Sequence, residues 1–311
     1  MKSISLAFSM LLLLGCSPSE SPNAAAQPKK QKIIGASLLT QGHQFYRDLA
    51  AAMEKEAAAQ GFALRIQYAE FNGPKQVSQI ETFVQQGVDA LIVSPRDSAG
   101  IASTINAAAA KGVPVFTTDI AAHNAEVVSH IASDNVLGGK LIGEYLAKLL
   151  EGQGKVAIID NAEVASVQDR VSGFEGALKA SPEISIVQKA PGGGVRDKAM
   201  RAAQDVLQAH PDLDAIFGIN DDSALGALAA VESAGRQDSI IIVGYDGTPQ
   251  ARDEIRAGKA LKADTVQYPG EIGRITIQTI ADYFAGKPVP KVVPVRVGII
   301  DKAALDAEQP A

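Results

Sequence analysis

Apolar runs and amphipathic stretches alternate along the chain from residue 33 onward. The segments 33–39 and 155–160 are short and mostly apolar, whereas 45–60 places Phe45, Leu49 and Met53 four residues apart. Short apolar runs predict buried strands, and apolar residues at a spacing of three to four predict amphipathic helices. Strands that alternate with helices predict an α/β fold whose parallel sheets are covered by helices on both faces.

One strand–turn–helix–strand unit occurs twice. In each copy an Asp-Ala strand is followed eight positions on by Asp-Ser-Ala, and then by an apolar run that ends at an aspartate. The copies comprise 89–92, 97–99, 113–116 and Asp119, and then 214–217, 222–224, 240–243 and Asp246. Ligands of open parallel sheets bind beyond the carboxyl ends of the strands. Two such units that face each other would bring Asp119 and Asp246 into one cleft, which predicts a two-lobed binding protein.

Residues 1–15 are predicted to be a lipoprotein signal peptide and 16–32 a tether. Lys2 is followed by an apolar stretch too short to span a bilayer, and 13–16 (LLGC) resembles a bacterial lipobox. Cys16 is the only cysteine and would carry the lipid that anchors the protein to a membrane. The protein would then lie in the periplasm or cell envelope. The alternative is an ordinary secretory signal with an incidental cysteine. A lone cysteine excludes an internal disulfide.

Composition narrows the classes of ligand and partner. The 311 residues suffice for about two domains. The chain has no Trp, 5% aromatic residues and a formal net charge of -6, which argues against nucleic acid and against a large hydrophobic ligand. His123, His130 and His210 have no metal-ligand spacing relative to His43. We therefore expect no metal, no cofactor and no nucleic-acid partner.

Three longer motifs are similar to those of a known family. They are 128–140 (VSHIASDNVLGGK), 219–228 with Asn220-Asp221, and 243–249 (VGYDGTP). They resemble the periplasmic ribose-binding type of sugar-binding protein of ABC importers and, more broadly, the effector domain of LacI-type repressors. The resemblance covers roughly 33–300 and implies two doubly wound parallel-sheet lobes joined by a three-segment hinge, the type I periplasmic binding fold. The expected lobes are 33–133 with 268–294, and 134–267 with 295–311.

The resemblance also implies a set of ligand-binding positions. They are His43, Phe45, Tyr46, Asp119, Gln168, Asn220, Asp246 and Gln267. A carboxylate accepts hydrogen bonds from two adjacent hydroxyls, and each such bond contributes about 1.5–3 kcal/mol. From the residues alone, simpler roles remain open: turn residues for the aspartates, a helix cap for Asn220, core packing for Phe45 and a surface position for His43.

Departures from the ribose-type pattern bear on the ligand. Ile120 and Gln168 stand where that pattern has arginines, and Gly194 is nearest to a position with a stacking aromatic. A site built to hydrogen-bond particular hydroxyls discriminates sharply, so these changes argue against ribose itself. The glycine run 192–194 could also bind a phosphate through its backbone N–H groups. We favour the interpretation that these glycines, which have no side chains, enlarge the pocket.

The favoured function is a monomeric solute-binding lipoprotein that captures a monosaccharide or polyol by hinge closure and delivers it to ABC permease subunits. One alternative is a sensor that presents its closed state to a chemoreceptor or sensor kinase, and another is a receptor for a non-sugar diol or signalling molecule. A glycosidase using Asp119 and Asp246 is a weaker hypothesis because recognition of hydroxyls already explains opposed carboxylates. We therefore expect no enzymatic activity.

Overall fold

Two sheets of six strands each organise the protein, for which a computed structural model describes residues 31–308. The predicted signal peptide, Cys16 and most of the tether lie outside the described residues. In spatial order the first sheet contains β11 (Val292–Val295), β5 (Ser129–Ser133), β4 (Val115–Thr118), β3 (Ala90–Val93), β1 (Ile33–Leu38) and β2 (Ala63–Tyr68). All of its strand pairs are parallel.

The second sheet repeats this arrangement. It contains β12 (Gly298–Asp301), β10 (Leu261–Val266), β9 (Ile241–Asp246), β8 (Ala215–Gly218), β6 (Gln153–Asp160) and β7 (Glu183–Pro191). Its pairs are parallel except that of β12 with β10, which is antiparallel. The predicted α/β class with two doubly wound lobes is confirmed, and the antiparallel edge strand is a feature that the sequence patterns did not indicate.

Helices cover both sheets. They are α1 (Gln44–Ala59), α2 (Gly73–Gln85), α3 (Ala102–Ala110), α4 (Asn135–Leu149), α5 (Ala165–Leu178), α6 (Arg196–Ala209), α7 (Asp221–Ser233), α8 (Pro249–Ala257), α9 (Pro269–Phe284) and α10 (Lys302–Ala307). On the first sheet α1 packs with α9, and α2 packs with α3. Every residue of β3 is buried, because both faces of the sheet are covered. Within residues 31–308, no helix is long and apolar enough to cross a bilayer.

The chain passes between the sheets three times. The passages lie between β5 and β6, between β10 and β11, and between β11 and β12. Val295 pairs with Ser133 in the first sheet, one residue beyond the predicted end of that lobe. The passages fall close to the expected hinge segments, whereas the lobe boundaries themselves stay a prediction. The first lobe is defined as the part of the protein that contains the first sheet, and the second lobe as the part that contains the second sheet.

Glycines allow α4 and α5 to pack closely in the second lobe. A Cβ atom on Gly139 would overlap the backbone carbonyl oxygen of Arg170, and one on Gly173 would overlap that of Val136. The two helix backbones can approach this closely only because neither glycine has a side chain. This packing fixes the position of α5, which carries the buried Arg170.

Candidate functional site

A cavity lies between the lobes at the carboxyl ends of both sheets. Its space, including the open solvent at its mouth, is about 440 Å³. Both lobes contribute to its lining, which consists of Leu39, His43, Phe45, Tyr46, Phe71, Asp119, Ile120, Asn161, Val164, Ser166, Val167, Arg170, Gly194, Ile219, Asn220, Asp246 and Gln267. The structure therefore brings together every predicted ligand-binding residue except Gln168.

The two aspartates of the sequence repeat occupy equivalent positions in the two lobes. Asp119 directly follows β4 and Asp246 is the last residue of β9. Both have positive φ angles, 64° for Asp119 and 126° for Asp246. Residues other than glycine rarely adopt this conformation, and such strain concentrates at ligand sites. The backbone thus turns sharply at the end of each strand, where each aspartate side chain lines the cavity.

Asp119 is buried against an aromatic hydroxyl. The Tyr46 hydroxyl donates a hydrogen bond of 2.5 Å to Asp119 Oδ2, and the Asp119 residue is 5% exposed. Burial raises the pKa of Asp119, while Arg170 and the bond from Tyr46 oppose that rise. Burial and the neighbouring carboxylate also raise the pKa of Tyr46 well above its usual value. Tyr46 therefore stays neutral and occupies one acceptor position of Asp119.

Aromatic rings from the first lobe line one side of the cavity. Phe45 and Tyr46 lie in the first turn of α1, and their rings meet edge to face with centroids 5.3 Å apart. His43 precedes this helix and meets Phe71 edge to face at 5.2 Å. Such rings offer apolar faces on which the C–H surface of a sugar can pack. Phe45 also belongs to the buried core, so its core role and its cavity role coexist.

The Asp246 side chain is held by Gln267, which directly follows β10 where the chain passes between the lobes. Gln267 Nε2 donates to Asp246 Oδ1 at 2.6 Å, whereas Gln267 Oε1 is buried and has no hydrogen-bond partner. Burial and the nearby Asp221 carboxylate raise the pKa of Asp246 well above its usual value, and Arg170 opposes this rise. An unsatisfied buried acceptor costs about 1–3 kcal/mol. A ligand hydroxyl in the cavity could satisfy Gln267 Oε1.

Arg170 is a lining residue that the sequence reasoning did not select. It is 5% exposed, and its Nε donates to Asn135 Oδ1 at 2.8 Å while its Nη1 donates to the Ile219 carbonyl at 2.9 Å. Nη1 also lies 4.0 Å from Asp246 Oδ1. A guanidinium has five N–H donors, so donors remain for a ligand. Ile120 and Gln168 leave two positions of the ribose-type pattern without arginines, and Arg170 supplies a guanidinium to the cavity from another position.

Asn220 serves as both helix cap and cavity lining. Its Oδ1 accepts a bond from the Ser223 amide at 2.9 Å at the start of α7, and its Nδ2 donates to the Gly194 carbonyl at 3.1 Å. Each group keeps one further hydrogen-bonding position. The two roles that the sequence left open are compatible.

Gln168 lies at the rim of the cleft rather than in the cavity. Its Nε2 donates to the Ala162 carbonyl at 2.8 Å, and its Oε1 lies 3.3 Å from His123 Nε2 of the first lobe. The cause is the phase of α5: Val167, Arg170 and Val171 lie on its buried face, and Gln168 does not. The structure thus offers no support for a ligand contact by Gln168, and that assignment stays a prediction only.

The lobes touch directly on both sides of the cavity. On one side the Ala165 amide donates to Ser98 Oγ at 2.9 Å, and the Ser98 amide donates to the Glu163 carbonyl at 3.2 Å. On the other side His43 Nε2 lies 3.3 Å from Asp222 Oδ2. Burial lowers the pKa of His43, and Asp222 opposes this effect. These contacts join different lobes, so the structure represents the closed arrangement.

Two of the three amides of the glycine run are already bonded within the protein. Gly192 N and Gly193 N both donate to the Asp160 carbonyl, at 2.9 and 3.1 Å. Two of the N–H groups that a phosphate cradle needs are therefore already bonded, whereas Gly194 lines the cavity without a side chain. The interpretation as an enlarged pocket fits this arrangement better.

The lining also includes residues that the sequence did not point to, and one of them follows the same positional rule as the predicted aspartates. Asn161 directly follows β6, as Asp119 follows β4, so the carboxyl-end rule could have found it. Arg170 is a charge within an otherwise apolar helical stripe, which is also a usable signal. Phe71 has no such sequence signal. Among residues 31–308, no group of three His, Cys, Asp or Glu residues could hold a metal ion.

Comparison with known proteins agrees with this architecture. Residues 34–288 match the family described as "Periplasmic binding protein domain". The ribose import binding protein of Bacillus subtilis is 36% identical over 300 residues, which are 94% of this chain and 95% of that protein. That of Escherichia coli is 33% identical over 283 residues, 91% of this chain and 95% of that protein.

A solved structure has the same fold. An ABC transporter solute binding protein from Mycobacterium smegmatis with bound glycerol is 34% identical, with a TM-score of 0.84 over 89% of this chain and 96% of that chain. Both the family match and the two-lobed architecture span most of the described residues, and the chain therefore belongs to the periplasmic binding protein family.

Proposed function

We propose that this protein captures a small neutral polyhydroxy compound, a monosaccharide or polyol, between its lobes and delivers it to an ABC permease. The observation that carries the proposal is the pair of aspartates, Asp119 and Asp246, that line the cavity between the lobes beside aromatic rings. Hydroxyls that donate to carboxylates and C–H faces that pack on rings are the two recognition features of such a ligand.

The polar groups of the cavity match both roles of a hydroxyl. Asp119, Asp246 and the unpartnered Gln267 Oε1 accept hydrogen bonds, whereas Arg170 and Asn220 donate them. A hydroxyl can donate one bond and accept two. Similar proteins include a ribose import binding protein and solute-binding proteins with bound glycerol or bound myo-inositol, and these three compounds share this chemistry.

Delivery requires that the ligand favour the closed arrangement, which the permease would recognise. Ligand binding between lobes shifts a hinge equilibrium without any covalent chemistry. We further propose that Cys16 is lipid-modified and anchors the protein in the cell envelope, and that the protein acts as a monomer. Mass spectrometry of the membrane fraction tests the lipid, since a Cys16→Ser variant should lack the lipid mass and be released.

Calorimetric titration of the purified protein with D-ribose, D-allose, glycerol and myo-inositol tests the ligand class. We expect at least one compound to bind, and Asp246→Asn to weaken that binding about 100-fold or more, because two hydroxyl bonds of about 1.5–3 kcal/mol each depend on the carboxylate. Asp238→Asn is the matched control, as Asp238 is exposed and outside the cavity. Unchanged affinity in Asp246→Asn, or no binding across monosaccharides and polyols, would contradict the proposal.

A further inference from the structure

Phe71 borders both the ligand cavity and a second, larger space. Its side chain lines the cavity and also lines a groove of about 1,390 Å³, including open solvent. The groove runs over the first lobe past Pro74, Val77 and Ile101, and Lys198 of the second lobe borders it. Of the described residues, only Phe71 appears in the lining of both spaces.

The backbone holds the Phe71 ring in this place. Glu70 and Phe71 have φ angles of 53° and 57°, a conformation that side-chain-bearing residues rarely adopt. The Glu70 carboxylate accepts bonds from Thr40 Oγ1 at 2.6 Å and from the Gln41 amide at 3.1 Å. The Phe71 amide donates to the Leu39 carbonyl at 3.3 Å. The loop is thus tied to the segment that leads into α1, which also carries cavity residues.

The side chain itself is positioned from the cavity side. The Phe71 ring meets the His43 ring edge to face at 5.2 Å, and His43 is in turn 3.3 Å from Asp222 of the second lobe. In the closed arrangement the ring is therefore backed by a contact between the lobes. Across the cavity, Gly194 has no side chain that could take over this role.

We propose that Phe71 is a specificity-determining residue whose ring ends the ligand cavity at the groove. The site then accepts a single unsubstituted sugar ring or polyol, and it rejects derivatives that carry a substituent directed toward the groove. This inference rests on the proposed function, since it specifies which members of the polyhydroxy class can bind. It assigns the exclusion to one side chain rather than to the size of the whole cleft.

Two variants separate the bulk of Phe71 from its backbone conformation. Phe71→Ala removes the ring and connects the two spaces, whereas Phe71→Leu keeps a bulky side chain. All three residues have a Cβ atom and pay a similar cost at positive φ, so the loop is perturbed equally. Thermal unfolding of each variant establishes that it is folded before its binding is compared.

The probes are the free sugar or polyol that binds best among D-ribose, D-allose, glycerol and myo-inositol, and the complete set of its mono-O-benzyl ethers. We expect wild type and Phe71→Leu to bind the free compound and to reject the ethers. Phe71→Ala should bind at least one ether about tenfold or more tightly than wild type, because even one methylene that a pocket cannot accommodate changes affinity by about tenfold or more.

The outcomes distinguish the two proposals. If wild type binds the free compound but Phe71→Ala rejects every ether, or if wild type binds the ethers as tightly as the free compound, the role of Phe71 is refuted. If Phe71→Leu admits the same ether as Phe71→Ala, bulk at this position is not what excludes it, which also overturns the inference. If wild type binds no free compound, the proposed function fails, and this inference fails with it.

Discussion

Ser98 should control ligand affinity without touching the ligand. It lies on the loop between β3 and α3 of the first lobe, is fully buried, and does not line the cavity. Its hydroxyl accepts the Ala165 amide at 2.9 Å from the second lobe, and its carbonyl accepts the His123 amide at 2.7 Å within the first. A Ser98→Ala variant removes only the hydroxyl and leaves the backbone bonds in place.

The size of the effect follows from the state of the Ala165 amide. In the closed arrangement of the variant this buried N–H has no acceptor, whereas in an open arrangement it can bond to water. Leaving a buried donor unpaired costs about 1–3 kcal/mol. If the protein without ligand is mainly in the open form, the whole of this cost is subtracted from the free energy of binding. A cost of that size makes the apparent affinity roughly 5- to 150-fold weaker.

Calorimetric titration with each compound that binds the wild type measures this effect. We expect the affinity of Ser98→Ala to fall by the same factor for every compound, because the change lies in the closing equilibrium. Ser103→Ala is the matched control, since Ser103 is exposed on α3 of the same lobe. Small-angle scattering without ligand should show a variant that is at least as open as the wild type.

Two results would refute this reasoning. An unchanged Kd would mean that the Ser98 hydroxyl does not stabilise the closed arrangement. A change in the relative affinities for different compounds would mean that the substitution alters the cavity itself. The loss of affinity must therefore be uniform across ligands, and this sets it apart from the effect expected at Phe71.

Two other perturbations test the electrostatics of the first lobe. Tyr46→Phe removes the bond that lowers the pKa of Asp119, so ligand binding should weaken and its loss on acidification should begin at a higher pH, as titrations between pH 4 and 7 would show; an unshifted profile would contradict this. Burial lowers the pKa of His130 from 6.5 to about 4, so the folded state resists protonation of this side chain. The free energy of unfolding is therefore unaffected by His130 above pH 6.5, and it decreases by about 3 kcal/mol as the pH falls toward 4. Guanidinium unfolding at pH 7 and pH 4 should show this loss in wild type and a smaller one in His130→Asn, and equal losses would refute it.

The fold was predictable because its signals are local and repeated. β3 is apolar at every position since both sheet faces are covered, and the same strand–helix unit recurs in the second lobe. The position of Asp119 and Asp246 followed from the rule that parallel sheets bind ligands beyond their carboxyl ends. Asn161 obeys the same rule, so its place at the site was equally predictable.

The remaining site residues depend more on packing than on local pattern. The resemblance pointed to Gln168, but α5 has Arg170 on its buried face. Arg170 left a sequence signal as a charge in an otherwise apolar stripe, although its place in the cavity lining follows from how the helix packs. Phe71 reaches the cavity through a left-handed backbone turn rather than through any periodicity. The Ser98 contact depends on how two lobes meet, and neither lobe's sequence specifies this alone.

The charge balance of the cavity favours a neutral ligand over a phosphorylated one. Asp119 is buried and Asp246 is largely buried. Both have raised pKa values, and Arg170 is a neighbouring cation that opposes both shifts. A phosphate about 4 Å from a carboxylate would meet a repulsion of about 4 kcal/mol per charge pair near a protein surface. One guanidinium cannot offset this for two carboxylates, and the amides of Gly192 and Gly193 already bond Asp160. Hydroxyl groups, in contrast, donate hydrogen bonds to both carboxylates without adding negative charge. Closure around a neutral polyol therefore gives these carboxylates hydrogen-bond partners, whereas closure around an anion would bring like charges together.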